Sequence, residues 1–286
     1  MGSKALTEGT PWKGILSFMF PIFMGLLLQQ LYNTVDTLVV GNFAGEGPLA
    51  AVGACGVLTM AFLALANGFS AGASVLIAQL FGGGAEKEMR RQASSALLLL
   101  LGMGVVASVA GIFISQFALQ YILATPESLI PMADTYFKIY AAGLVFQFGY
   151  NIIAAILRGI GDSRATLYFL LIASAVNVVL DIVFVYNLGM GVAGAAIATN
   201  IAQAASCVAG FIYMTKKYPL FRWKLREFTF EWPLAKRTLK TGFPMALQQF
   251  IVSFGFVFIQ RAVNSYGESM TASFSVAQKI ETYSFL

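Results

Sequence analysis

Two carboxylates, Asp36 and Asp181, are the only acids set deep inside the long apolar segments of this 286-residue chain. A charged side chain at mid-bilayer costs about 2.5–3.5 kcal/mol on insertion scales, so it usually faces a bundle interior or a watery cavity. Acids placed there point to the movement of ions or solutes. Residues three, four and seven apart share a helix face, so Gln29, Tyr32, Asn33 and Asp36 form one polar stripe, and Ser174, Asn177 and Asp181 another. Two carboxylates facing one cavity could share a proton or hold a monovalent cation between their oxygens, and either would neutralise charge. The plainer reading has these polar groups joining helices by hydrogen bonds. That reading suits the Asn and Ser residues better than the acids, whose burial costs more. The chain has no His, so a proton-coupled cycle near neutral pH would fall to carboxyl groups.

The elements that must position these acids are membrane helices. Hydrophobic residues make up 58% of the chain and charged ones 11%, with a mean hydropathy of +0.76. A spanning helix needs about 20 mostly apolar residues, which places spans near 14–40, 49–81, 94–120, 133–157, 164–187, 191–214 and 239–263, with an eighth from about 270. The runs are continuously apolar rather than alternating, which favours helices over a barrel. The second run is too long for one straight crossing. It is expected to be tilted or broken, loosened across NGFSAG at Asn67–Gly72. Pro21 and Pro244 are expected to kink the spans that hold them.

Net charge is +5, but its distribution argues for membrane topology rather than nucleic acid. Lys4 and Lys13 precede the first span, Lys87, Arg90 and Arg91 follow the second, Arg158 and Arg164 follow the fourth, and a dense group from Lys216 to Lys240 follows the sixth. The intervening loops, 41–48, 121–132 and 187–191, hold no Lys or Arg. That alternation predicts a cytoplasmic N terminus. The group containing Arg222, Lys224, Arg226, Lys236 and Arg237 then reads as a loop against anionic headgroups. The first apolar stretch outruns a signal h-region and lacks a small-residue cleavage site, so it is expected to stay as a helix. Cys55 and Cys207 fall in different spans and read as small buried residues rather than a disulfide or metal pair.

An internal repeat organises the chain. Residues 21–58 and 244–280 correspond, with Pro21 matching Pro244 and NFAGE at Asn42–Glu46 matching NSYGE at Asn264–Glu268. Both copies start on the same side, so the repeat is parallel. Repeats of this kind suggest a transporter with its binding region between the halves. The predicted layout is a cytoplasmic tail at 1–13, a lobe of six helices at 14–214, a basic cytoplasmic linker at 215–238 and the start of a second lobe at 239–286. Completing the symmetry gives about twelve spans and roughly 450 residues. The chain is therefore expected to be part of a longer protein.

Three strings resemble the multidrug and toxic compound extrusion (MATE) transporters. They are P-x7-QQLYNTVDTLVVG from Pro21 to Gly41, RGIGDSRAT at Arg158–Thr166, and NVVLDIVFVYNLGMGVAGAAIAT from Asn177 to Thr199. The resemblance implies an all-α, twelve-span fold and export of cationic drugs or metabolites by antiport against H+ or Na+. It implies that Asp36, Asn177, Asp181 and Thr199 form a cation site in the first lobe, able to take Na+, and that Gln29, Tyr32, Tyr136 and Asn151 are other polar residues of its cavity. Some branches of the family carry a further acid in the seventh span. Thr241 to Asn264 holds no Asp or Glu, so that second site is not carried over.

The expectation is thus a multi-pass, monomeric transporter of the plasma membrane, with organic cations as substrates and no cofactor beyond the coupling ion. A lipid-linked oligosaccharide flippase is the alternative, and it would call for Arg and Lys deep in the cavity. An enzyme reading lacks His ligands, a Cys cluster or a nucleophile motif. A seven-helix receptor conflicts with the repeat and with the N-terminal orientation. GMGVAG at Gly189–Gly194 fits a dinucleotide pattern but joins two apolar helices, so it reads as a tight turn.

Overall fold

The computed structural model describes residues 11–39, 46–123, 125, 127–223 and 227–264; the side chains at 31–39 and most beyond 252 lie outside the description. Among the described residues the regular elements are all helical: α1 (Pro11–Val39), α2 (Glu46–Gly82), α3 (Glu86–Phe117), α4 (Ile130–Ala142), α5 (Leu144–Gly159), α6 (Ser163–Asp181), α7 (Gly191–Lys217) and α8 (Trp232–Asn264). α3 and α6 each run into a π-helical turn, at Ala118–Ile122 and Ile182–Asn187. Four helices of the described chain are long and apolar enough to cross a membrane, and α4 with α5 makes a bent fifth. α1 and α8 follow the first and seventh predicted spans through Pro21 and Pro244. The protein is an all-α integral membrane protein. Its expected eighth span lies outside the described residues.

Charges sit at the helix ends where the macrodipole favours them. Glu86 and Glu88 open α3, while Lys216 and Lys217 close α7. α5 is the buried centre, with Ile152 to Leu157 all inside and α2, α3 and α7 packed around it. α1 packs mainly along α6. The turn at Gly189–Gly194 is tight, as the sequence predicts: Gly189 and Gly191 take φ of +62° and +55°, which glycine adopts without penalty. Cys55 and Cys207 are free thiols in separate helices.

The break expected in the second span is not there. α2 continues through Asn67–Gly72, and the small residues of that segment serve a contact instead. A Cβ on Gly68 would lie 2.2 Å from Ala246 Cα, and one on Gly72 2.5 Å from Gly242 Cα. α2 and α8 therefore meet backbone to backbone, the close approach that small residues permit in membranes.

The bend falls in the fourth span, where α4 and α5 meet at 46°. Gly143 N–H donates to Tyr140 O at 3.0 Å, so it does not make the regular helical bond to Ile139 O. Asn200 of α7 fills that gap, its Nδ2 donating to Ile139 O at 2.5 Å. A Cβ at position 143 would sit 2.0 Å from Asn200 Oδ1. An inserted side chain is a recognised cause of a kink, and here it also satisfies the carbonyl that the kink releases.

The basic ends of the helices gather at one end of the bundle, where the segment between α7 and α8 docks on the start of α3. Arg90 donates to Glu227 at 2.6 Å and to Arg222 O at 3.0 Å, and Arg91 pairs with Glu231. Gln92 Nε2 donates to Thr238 Oγ1 at 2.8 Å. Phe221, Trp223 and Phe228 pack in series as tilted rings, with centroids 5.5 and 5.2 Å apart. Arg222 is turned back onto the last carbonyls of α7, at Thr215 and Lys216. This segment is more than a charged strap against headgroups: its acids pin it to the bundle, while Lys236, Arg237 and Lys240 stay exposed.

Candidate functional site

α6 and α7 bring three of the expected residues together. Asp181 and Asn177 are wholly buried, and Thr199 is nearly so. Asn177 precedes Asp181 by one turn, which puts both on the face of α6 that meets α7. The amide of Asn177 is assigned with its nitrogen toward Asp181, where it donates to Oδ2 at 2.8 Å while its oxygen accepts from Thr199 N–H at 3.3 Å. In the opposite orientation the nitrogen reaches Thr199 Oγ1 at 3.4 Å. The first orientation is preferred because it turns the amide nitrogen to a carboxyl oxygen and the amide oxygen to an N–H, whereas the opposite one sets oxygen against acceptor and nitrogen against donor. Thr199 Oγ1 also donates to Ala195 O at 3.0 Å, one turn back on its own helix. Asp181 is the last α-helical residue before the π-turn at Ile182. Such turns are frequent at functional sites because they shift the register of the residues beside them.

Tyr32 and Asp36 lie on the backbone of α1, but their side chains are outside the description. Helix register nevertheless places Asp36. A Cβ on Gly25 would be 3.7 Å from Leu170 and 4.0 Å from Leu167. Both α1 and α6 are odd-numbered spans, so they run in the same direction at about 1.5 Å per residue. The eleven residues from Gly25 to Asp36 then match those from Leu170 to Asp181. By this register the backbones at positions 36 and 181 fall at one level along the two helices.

The remaining expected residues are more scattered. Gln29 is exposed among the described residues. Tyr136 of α4 is buried and stacks on Tyr140, with centroids 6.2 Å apart. Asn151 of α5 donates to Gln147 O at 2.9 Å, spending its amide on its own helix. Near the start of α4, Asp134 accepts from Ser115 and Lys138, each at 2.7 Å.

Residues 21–183 match the MatE family profile. The chain belongs to the MATE family. Over 286 residues it is 32% identical to the probable multidrug resistance protein YpnP of Bacillus subtilis, covering 99% of this chain and 63% of that protein. It is 27% identical to the probable multidrug resistance protein YoeA of the same organism, over 95% of this chain and 60% of that protein. Among solved structures, an outward-facing multidrug resistance MATE transporter of the MOP superfamily superposes with a TM-score of 0.90 at 29% identity, covering 99% of this chain and 63% of its own. A MOP-superfamily transporter from Pyrococcus furiosus, described as having a binding pocket of reversed polarity, gives the same score at 28% identity, over 99% of this chain and 63% of that one. The chain thus spans 60–63% of the length of these relatives.

In this MATE chain, sequence reasoning missed a second polar cluster, which anchors the two helices that carry the site. Asp162, in the RGIGDS turn, caps α6 by accepting from Ala165 N–H at 3.3 Å. Gly161 before it takes φ +87°. The same carboxylate accepts from Lys217 at 2.8 Å, Tyr218 at 2.7 Å and Tyr213 at 3.0 Å. Burial alone would raise the Asp162 carboxyl, but the hydrogen bonds from Lys217, Tyr218 and Tyr213, with the Lys217 charge, hold it below the usual carboxylate range. Its stabilisation is therefore present above the unfolded value of about 3.9 and is lost as pH falls through the lower folded value. Asp162→Asn should cost about 1.5 kcal/mol, the low end for charged hydrogen bonds, because Lys217 is partly solvated. Melting of the purified protein against pH checks this. The gap between wild type and variant should be full at pH 7 and close below about pH 4.

Proposed function

We propose that the complete protein is a secondary active multidrug efflux antiporter, exporting organic cations or toxic metabolites in exchange for H+ or Na+. The observation that carries this reading is a wholly buried carboxylate, Asp181, held by Asn177 beside Thr199 in a MATE-family bundle, with the backbone of Asp36 at the same level by helix register. The donors are carboxylate, amide and hydroxyl oxygens, which suit a proton or a hard monovalent cation. In this reading Asp36, Asn177, Asp181 and Thr199 bind the coupling ion, while Gln29, Tyr32, Tyr136 and Asn151 serve the surrounding cavity. Ion occupancy favours one arrangement of two lobes and substrate the other, with coupling limited to the difference in affinity between states. The protein works as a monomer in the plasma membrane with its N terminus in the cytoplasm, the side on which the basic helix ends gather.

The test is efflux of a fluorescent organic cation from cells expressing the complete protein, under a sodium gradient and under a proton gradient, with Asp36→Asn alongside. Export should follow one of the two gradients and disappear in the variant. Export that ignores both gradients, or survives Asp36→Asn, removes the assignment.

A further inference from the structure

Away from the polar site, α6 and α7 form an open groove that the transport reading does not use. It has a volume of about 680 Å³ and is lined by Phe169 of α6 and by Ala209, Ile212, Tyr213, Lys216 and Lys217 of α7. Those α7 residues are three or four apart in turn, so they share one face. Along that face the lining passes from apolar to basic over about two turns, roughly 10 Å at the helical rise. The floor is fixed by contacts between the helices: Ser206 Oγ donates to Phe169 O at 2.7 Å, and the Phe169 ring meets Tyr213 edge-on with centroids 5.3 Å apart. Val208 and Ile212, one turn apart, are 54% and 46% exposed on a helix long and apolar enough to span. Apolar side chains exposed on such a helix face lipid.

The basic end carries more positive charge than the fold answers. Lys217 is committed: its ammonium donates to Asp162 and Tyr213 and lies 4.8 and 5.4 Å from the ring centroids of Tyr213 and Tyr218. Lys216 is exposed at the rim and bonds nothing among the described residues. Arg222 folds back beside it, donating to Thr215 O and Lys216 O, each at 3.0 Å. Those two bonds leave further guanidinium N–H groups to spare. Among the described residues, Asp162 is the one acid paired with any of these three cations. A trough that is apolar along its length and cationic at its end has the shape and charge of an amphiphile with an anionic head. Free phosphate would answer the cations and leave the trough empty, while a neutral lipid would fill the trough and leave the cations unanswered. Basic pockets between membrane helices suit anionic headgroups, Lys and Arg donate well to phosphate, and tyrosine belongs at headgroup level.

We propose that this groove is a site for one anionic phospholipid, its phosphate held by Lys216 and Arg222 and an acyl chain laid along Phe169, Ala209 and Ile212. The site is distinct from the ion site and does not depend on the antiport reading. Because its rim is the turn where Asp162 ties the start of α6 to the end of α7, a bound headgroup adds a further tie between the two helices.

Native mass spectrometry of the purified complete protein, titrated with phosphatidylglycerol and separately with phosphatidylcholine, tests the site. Wild type should hold its first phosphatidylglycerol about thirtyfold more tightly than phosphatidylcholine, as two charge contacts imply. Lys216→Gln should weaken phosphatidylglycerol about fivefold, and Lys216→Gln with Arg222→Gln should remove the preference, with phosphatidylcholine unchanged throughout. Lys87→Gln with Lys236→Gln deletes the same charge from exposed positions on α3 and α8 and should leave phosphatidylglycerol binding as it was. Ala209→Trp, which fills the trough and keeps the cations, should weaken it about tenfold, and inorganic phosphate should not displace the lipid. Equal retention of the two lipids, equal losses in the two double variants, or displacement by inorganic phosphate each overturns the site. A groove covered by the rest of the complete protein would give the first of these. Lys216→Gln is exposed and breaks no bond of the described fold, so it decides alone should the Arg222 change disturb the end of α7.

Discussion

Asp181→Asn is expected to leave the protein folded in the membrane while removing gradient-driven export. The substitution keeps shape and volume, and an Asn at this position can still accept the Asn177 amide through its own side-chain oxygen, so the 2.8 Å contact survives. What it removes is the carboxyl group, which in the proposed antiport takes up a proton or cation in a wholly buried place. Coupling free energies of 1–3 kcal/mol correspond to about 5–150-fold, so loss of the coupling group should lower gradient-driven export by roughly 100-fold. Thr199→Val, which deletes one hydroxyl and keeps the shape, should cost only about tenfold. Initial rates of efflux, normalised to the amount of protein in the membrane, check both. Wild-type rates in Asp181→Asn would show that the ion is held elsewhere.

The apolar runs were legible because a bilayer imposes their length, and the acids stood out because their burial is so costly. What stayed hidden needed a partner distant in sequence. Gly143 reads as one more small residue in an apolar run, since the cause of its bend is a side chain on α7 that bonds a carbonyl 61 residues away. Asp162 looks like an ordinary turn residue, because three of its donors arrive 51 to 56 residues later. Asn67–Gly72 was visible as an interruption but was misread as slack. Small residues in a membrane helix mark either a weak point or a close approach, and local sequence does not say which until the facing helix is known.

Adjacent residues on α7 serve the site and the bend. Thr199 faces Asn177, and Asn200 supplies the amide that completes the break between α4 and α5. A shift of α7 about its axis at this level would therefore disturb both at once. Packed helices respond to such shifts by changing between discrete arrangements rather than by deforming smoothly. The polar site and the bend of the fourth span thus lean on one dipeptide of α7.

Gly68→Leu and Gly72→Leu are expected to drive α8 away from α2. The atoms that a new Cβ would meet at 2.2 to 2.5 Å include the Cα and N of Ala246 and of Gly242. Backbone atoms cannot rotate aside, so the helices must separate by an ångström or more. Overpacking costs about 1–3 kcal/mol in well-packed cores, and a backbone obstacle belongs at the upper end. In lipid no hydrophobic gain offsets the lost contact, because helix association there depends on close packing. Each variant should lower the melting temperature of the purified protein by on the order of 10 °C. Gly82→Leu, on the same helix with nothing within 4 Å of the new Cβ, should leave it unchanged. The milder Gly68→Ala should not be rescued by Ala246→Gly, since the obstructing Cα and N remain after that change. Full rescue would mean that the Ala246 methyl, rather than the backbone, sets the distance between the helices. In the complete protein, export should fall together with stability.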